Sequence, residues 1–251
     1  MLLGAVTYNV LANMDLETVI RTLESTGFDA VELRTGHKHG VEPSLSEAER
    51  LKVKDRFEHS KVRLLSFGTT CEFQSADAVE RKKQIDLAKQ FIGLAHDTGA
   101  LGVKVRPNGL AKGVPRETTI QNIAAGLREV GEHGYVHGVE IWLEVHGGET
   151  QIPAAAAEIM RPTNHKNVGL CWNSNPTDVV EGSVKLSFDL LRPWLKSCHI
   201  NELPGSYPYK ELFGLMKKTG YDRWTLCEAA ESKEPDRFLK YYRALWRELM
   251  S

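Results

Sequence analysis

Gly138–Gly148 reads GVEIWLEVHGG, and its pattern decides the fold. Val139, Ile141, Trp142, Leu143 and Val145 form a short apolar run, as expected of a buried strand. The run then breaks into Glu144, His146 and two glycines. Residues two apart on a strand share a face, so Glu144 and His146 are expected to point the same way. A carboxylate at the end of an apolar strand is costly to bury alone, so a partner is required. A metal ion, a substrate hydroxyl or an arginine would serve.

The same pattern recurs outward from this stretch. Asn167–Trp172 (NVGLCW) runs into Asn173, Leu195–Ile200 (LKSCHI) carries His199, and Trp224–Cys227 (WTLC) reaches Glu228. Upstream, Leu3–Tyr8, Asp29–Leu33, Lys61–Phe67 and Leu101–Val105 read as four further strands. Between them lie segments with helical spacing. Asp15 stands as N-cap and Gly27 as C-terminal stop of the first; the others span Ser46–His59, Asp77–Thr98, Pro115–Gly134, Ile152–Met160, Val184–Leu191, Tyr209–Thr219 and Glu234–Leu249. Strand ends recur every few tens of residues, the length of one βα unit. Eight such units predict one closed (β/α)8 barrel over residues 1–251, with working residues at the C-terminal ends of the strands.

The 251 residues are 41% hydrophobic and 26% charged, with formal net charge -1. This is an ordinary globular composition, and its neutrality argues against nucleic acid as a partner. No apolar run approaches the ~20 residues of a membrane helix. Met1-Leu2-Leu3 leads straight into a strand without a basic leader region, so a cytoplasmic location is expected. Cys71, Cys171, Cys198 and Cys227 form no CxxC pair, and reduced, buried thiols are the expectation.

Glu144, Asn173, His199 and Glu228 thus fall at four consecutive strand ends around one barrel mouth. Two carboxylates, an imidazole and an amide oxygen suit one divalent ion (Mn, Mg, Co or Zn) with positions open to substrate oxygens. Glu144 and Glu228 are the candidate acid and base for moving a proton next to a carbonyl. Arg106, His146, Asn175, Glu202 and Tyr207 are candidates for substrate binding. His37 and His39, without partners in sequence, read as surface or lid residues. Trp172 is expected to pack outward, away from Asn173.

The segments LEVHG, GLCWNSNP, CHINEL and LCEAAE resemble the last four strands of the xylose isomerase-like superfamily of sugar isomerases and epimerases. The eight-unit layout resembles it over nearly the whole chain, but only the strand ends are specific. The resemblance implies the ligand set Glu144, Asn173, His199 and Glu228, with the two glutamates also as the acid/base pair. It implies a metal-dependent isomerase or epimerase of a small carbohydrate, proceeding through an enediolate, and barrels that pair into homo-oligomers. The chain departs from the pattern at Asn173, where the family has Asp, and at Pro176, where it has His. An asparagine keeps an oxygen donor but gives up a negative charge. A lyase or dehydratase on keto sugars or 3-keto glycosides, and a non-catalytic sugar-binding barrel, are the competing readings. A repair nuclease of the endonuclease IV type, also of this superfamily, needs further ligands from the early strands, which end here in Thr7-Tyr8-Asn9 and Gly68-Thr69-Thr70.

Overall fold

Eight strands alternate with eight helices. They are β1 (Leu2–Val6), α1 (Leu16–Thr26), β2 (Ala30–Arg34), α2 (Glu47–Glu58), β3 (Arg63–Gly68), α3 (Ala78–Thr98), β4 (Gly102–Val105), α4 (Arg116–His137), β5 (Glu140–Glu144), α5 (Pro153–Thr163), β6 (Val168–Asn173), α6 (Lys185–Leu191), β7 (Leu195–Ile200), α7 (Tyr209–Lys218), β8 (Trp224–Cys227) and α8 (Pro235–Met250). The computed structural model describes residues 1–251. Each strand pairs with the next, and β8 closes onto β1 in parallel, giving a complete barrel.

Local chemistry sets the boundaries. Asp15 accepts the Thr18 N–H at 2.9 Å to start α1, and Gly27, at φ 76°, ends it. Ser46 and Glu49 close a capping box on α2. Two helices outrun their sequence signals. Gly134 was the expected stop of α4, but the helix continues to His137 and stops at Gly138. Gly134 instead serves close packing, since a Cβ there would lie 2.5 Å from the Val139 carbonyl oxygen. Helix α5 runs past Met160 to Thr163, with Pro162 in its last turn, and ends at Asn164 in the left-handed region.

The strands alternate faces as the period of two requires. Outward residues such as Leu3, Ala5, Ile141, Leu143, Leu170, Trp172 and Ile200 join the large core between barrel and helices. Inside the barrel, Val6, Ala30, Leu65, Trp142, Cys171 and Leu226 make a small apolar plug. Trp142 fits because β4 offers Gly102 beside it; a Cβ there would lie 2.7 Å from the indole. Toward the C-terminal mouth, the inward positions turn polar: Glu32, Lys104, Glu144, Asn173 and His199 are all buried.

Barrel stagger decides which of these meet. Asn173 lies in register with His199, whereas Glu144 lies in register with Cys171, two residues short of Asn173. On the other side, Arg34 pairs with Gly68, and Gly68 with Lys104. All four cysteines are free and buried. No helix is long and apolar enough to cross a membrane.

Candidate active site

The four sequence-derived ligands converge. One ligand atom each from Glu144, His199 and Glu228 falls within a set no more than 4.8 Å across. His199, at the inner end of β7, is fully buried. Its Nε2 lies 3.1 Å from Glu32 Oε1, and Ser66 Oγ donates to the other oxygen of Glu32 at 2.8 Å. This network assigns the proton to Nε2 and turns Nδ1 toward the mouth. There Nδ1 lies 3.4 Å from Glu144 Oε1 and 3.5 Å from Glu228 Oε1, and is hydrogen-bonded to neither. Asn173 donates through Nδ2 to Glu144 Oε1 at 3.3 Å, while its Oδ1 is buried without a partner.

A buried amide oxygen without a partner, and an imidazole nitrogen facing two carboxylates, make up the donor set of a divalent cation site, where an ion would take the place of the Nδ1 proton. The residues therefore fit a divalent ion, with Glu144, Asn173, His199 and Glu228 as its holders and Glu32 orienting His199. Asn173 serves this geometry twice, since an aspartate could not donate to Glu144.

Sequence reading missed the closest contact in the site. Lys104, inward on β4, places Nζ 2.6 Å from Glu144 Oε2, with both side chains 4% exposed. The signal was a lone lysine between Val103 and Val105, on the face opposite to both. Burial disfavours its ammonium, but Glu144, Glu32 and Glu228 outweigh that and raise its pKa. Burial likewise works against the Glu144 carboxylate, yet Lys104 and His199 hold it well below the usual range. Glu32 is lowered too, where His199 and Lys104 outweigh its burial. Burial opposes the charged form of His199, and Cys171, Glu228 and Glu32 raise it well above the usual imidazole value.

Above this centre opens a cleft of about 260 Å³, lined by Tyr8, Arg34, Lys104, Arg106, Glu144, His146, Gln151, Asn173, Asn175, Asn201 and Glu228. Arg106 and His146 line the cleft, and His146 Nδ1 is buried without a partner. Arg106 bonds Glu72 at 3.0 Å, not Glu32 or Glu144. Asn175 reaches the cleft, but its NH2 is taken by the Val145 and Asn173 carbonyls at 2.7 and 3.1 Å.

Two expected binding residues do not reach the cleft. Glu202 is exposed and lies outside its lining; its neighbour Asn201 takes that place. Tyr207 turns inward, donating to Asp178 at 2.8 Å and accepting the Trp172 indole N–H at 3.1 Å. Trp172 itself packs outward in the core, as its parity demands. The expectation of a surface or lid role fails for His39, which is buried and tied to the Arg34 carbonyl at 2.9 Å and the Val41 N–H at 3.0 Å. His37, half-buried, bonds Thr7 Oγ1 at 2.9 Å.

A closed (β/α)8 barrel with a polar, metal-competent centre at its C-terminal mouth defines the class. The profile of the xylose isomerase-like TIM barrel family matches residues 20–248, and the chain belongs to that family. No curated protein sequence matches it. Among solved structures, it is similar to D-psicose 3-epimerase from Clostridium cellulolyticum H10, with TM-score 0.86 and 15% identity over 100% of both chains. It is similar to L-ribulose 3-epimerase, with TM-score 0.84 and 17% identity over 99% of this chain and 94% of that one. A zinc-bound IolI protein superposes with TM-score 0.80 and 18% identity over 99% and 96% of the respective chains.

Proposed function

We propose that the chain is a divalent-metal-dependent isomerase or epimerase of a keto sugar or related polyol ketone. The observation that carries this is the pair of orphaned buried atoms, Asn173 Oδ1 and His199 Nδ1, beside Glu144 and Glu228 at the floor of an open cleft. The sugar epimerases among structures of the same fold support it. A divalent ion held by these four residues would polarise the substrate carbonyl and stabilise charge on its oxygen.

The chain's own residues divide the remaining work. Glu144 is clamped between Lys104 and the Asn173 amide, which keeps it ionised and fixed as a ligand. The Glu228 side chain is 17% exposed and has no such clamp. Glu228 is the proton carrier, removing a proton from the carbon next to the carbonyl; isomerisation delivers it to the neighbouring carbon, and epimerisation takes a proton from the opposite face. His146 faces the substrate as a hydroxyl partner or second proton donor. This asymmetry favours one second reading, a lyase on keto sugars or 3-keto glycosides, because elimination needs one mobile base where epimerisation needs a group on each face.

The test is metal content of protein purified without added metal, with solvent deuterium uptake by a ketose and by a 3-keto glycoside. About one Mn, Co, Zn or Mg per chain, and uptake lost in Glu228→Gln, are expected. A protein that takes up no Mn²⁺ on titration and exchanges no proton is a sugar-binding barrel, and the enzymatic reading ends there.

A further inference from the structure

The cleft is divided by charge. Its two carboxylates, Glu144 and Glu228, come from the ends of β5 and β8 with asparagines between them, and its basic side comes from β2 and β4. Arg34, Gly68 and Lys104 lie in one hydrogen-bonded row across β2, β3 and β4, with a glycine between the two cations. Adjacent strands are roughly 4.8 Å apart, so Arg34 and Lys104 stand about 10 Å apart at the backbone. Gly68 lets the Arg34 stem lean across: a Cβ there would lie 3.4 Å from Arg34 Cδ. Arg106 follows Lys104 by two residues on the same side, and all three cations line the cleft.

These cations are unequally satisfied. Arg106 is paired with Glu72, and Lys104 spends one of its donors on Glu144. Arg34 forms no ion pair; its guanidinium makes a single hydrogen bond, to the Thr35 carbonyl at 3.1 Å. A planar fork with free donors, aimed into a polar cleft, matches an oxyanion. Of the eleven lining residues only Tyr8 is hydrophobic, so little apolar surface is offered to the faces of a neutral sugar.

We infer that the substrate is anionic, a keto sugar or polyol ketone bearing a carboxylate or phosphate group that Arg34 binds, with Lys104 and Arg106 beside it. This rests on the isomerase reading for the placement of the reacting carbons on the acidic side. The anion sits across the mouth from Glu228, which orients the carbon chain between the two halves.

The test is calorimetric titration of the protein as purified with glycolate, inorganic phosphate and neutral hydroxyacetone. At least one oxyanion should bind about tenfold or more tighter than hydroxyacetone. Arg34→Met should reduce that preference about tenfold, and Arg34→Lys should restore part of it. Raising ionic strength on the unaltered protein should erode the preference as well, a measurement independent of how the variants fold. Glycolate as the tighter probe assigns a carboxylate substrate, and phosphate a phosphorylated one. Equal binding of anion and neutral probe, or a preference unchanged in Arg34→Met, overturns the inference. Mn²⁺ uptake on titration separates the two claims. Metal binding without anion preference removes this inference alone, and anion preference in a protein that takes up no Mn²⁺ removes the metal-dependent isomerase reading alone.

Discussion

Lys104→Met tests the electrostatic design of the centre. The ammonium lies 2.6 Å from Glu144 Oε2, with both side chains 4% exposed. Methionine fills similar volume but leaves a buried carboxylate facing Glu32 and Glu228 without its cation. Removing one member of a buried pair costs about 3–5 kcal/mol. For a chain of this length that corresponds to roughly 10 °C in Tm. Glu144→Gln alone should cost a comparable amount, since Lys104 then loses its nearest anion. The double variant should recover about 2 kcal/mol relative to the sum, measured by urea denaturation as a double-mutant cycle. Removing the cation should also tighten Mn²⁺ binding while stability falls, because Glu144 then faces the ion with its full charge. Single effects that add within about 0.5 kcal/mol would refute the pairing, and Mn²⁺ affinity falling together with stability would refute its electrostatic role.

Three further outcomes follow from individual contacts. Asn173→Asp should tighten Mn²⁺ binding about tenfold or more and destabilise the metal-free protein, because it adds a charge and replaces a donor to Glu144 with a repelling oxygen; titration calorimetry and metal-free melting check both. Gly68→Ala should cost about 1–3 kcal/mol and weaken metal binding, since its Cβ would lie 2.7 Å from Glu32 Oε1, the atom that orients His199; melting curves with and without Mn²⁺ read it. Asp178 is raised from 3.8 to about 7 by burial, against the hydrogen bonds of Tyr207 and Asn175. Because the folded state holds this proton more tightly than the unfolded chain, stability should fall as pH rises from about 4 to about 7 and then level. Asp178→Asn should remove that part of the slope and raise Tm at pH 8, and an identical slope in the two proteins would show that Asp178 does not supply it.

The readable and unreadable parts of the site differ in kind. Glu144, Asn173, His199 and Glu228 stood out because each breaks an apolar strand at its end, and a period of two sends each inward. Lys104 obeys the same rule but sits inside β4, flanked by valines, where it reads as an interruption of a strand. Arg34 stands one residue past the expected strand Asp29–Leu33, and its freedom from any ion pair is a fact of three dimensions. Tyr207 and Glu202 lie in the same loop after β7, and only its path turns the tyrosine under the barrel rim and the glutamate to solvent. His37 finds its partner thirty residues back, at Thr7, whereas His39 is held by backbone groups of its own loop, the Arg34 carbonyl and the Val41 N–H, which leave no signal in the side-chain sequence.

By itself the sequence determined the eight βα units and the ring of polar strand ends, because hydrophobic period, caps and glycines act over a few residues. Tertiary structure decided the charges of the centre. Barrel stagger placed Asn173 beside His199 and Lys104 against Glu144, forty residues away in the chain. Which side chains neutralise one another depends on that register and on how deeply each pair is buried, and neither quantity exists until the barrel closes.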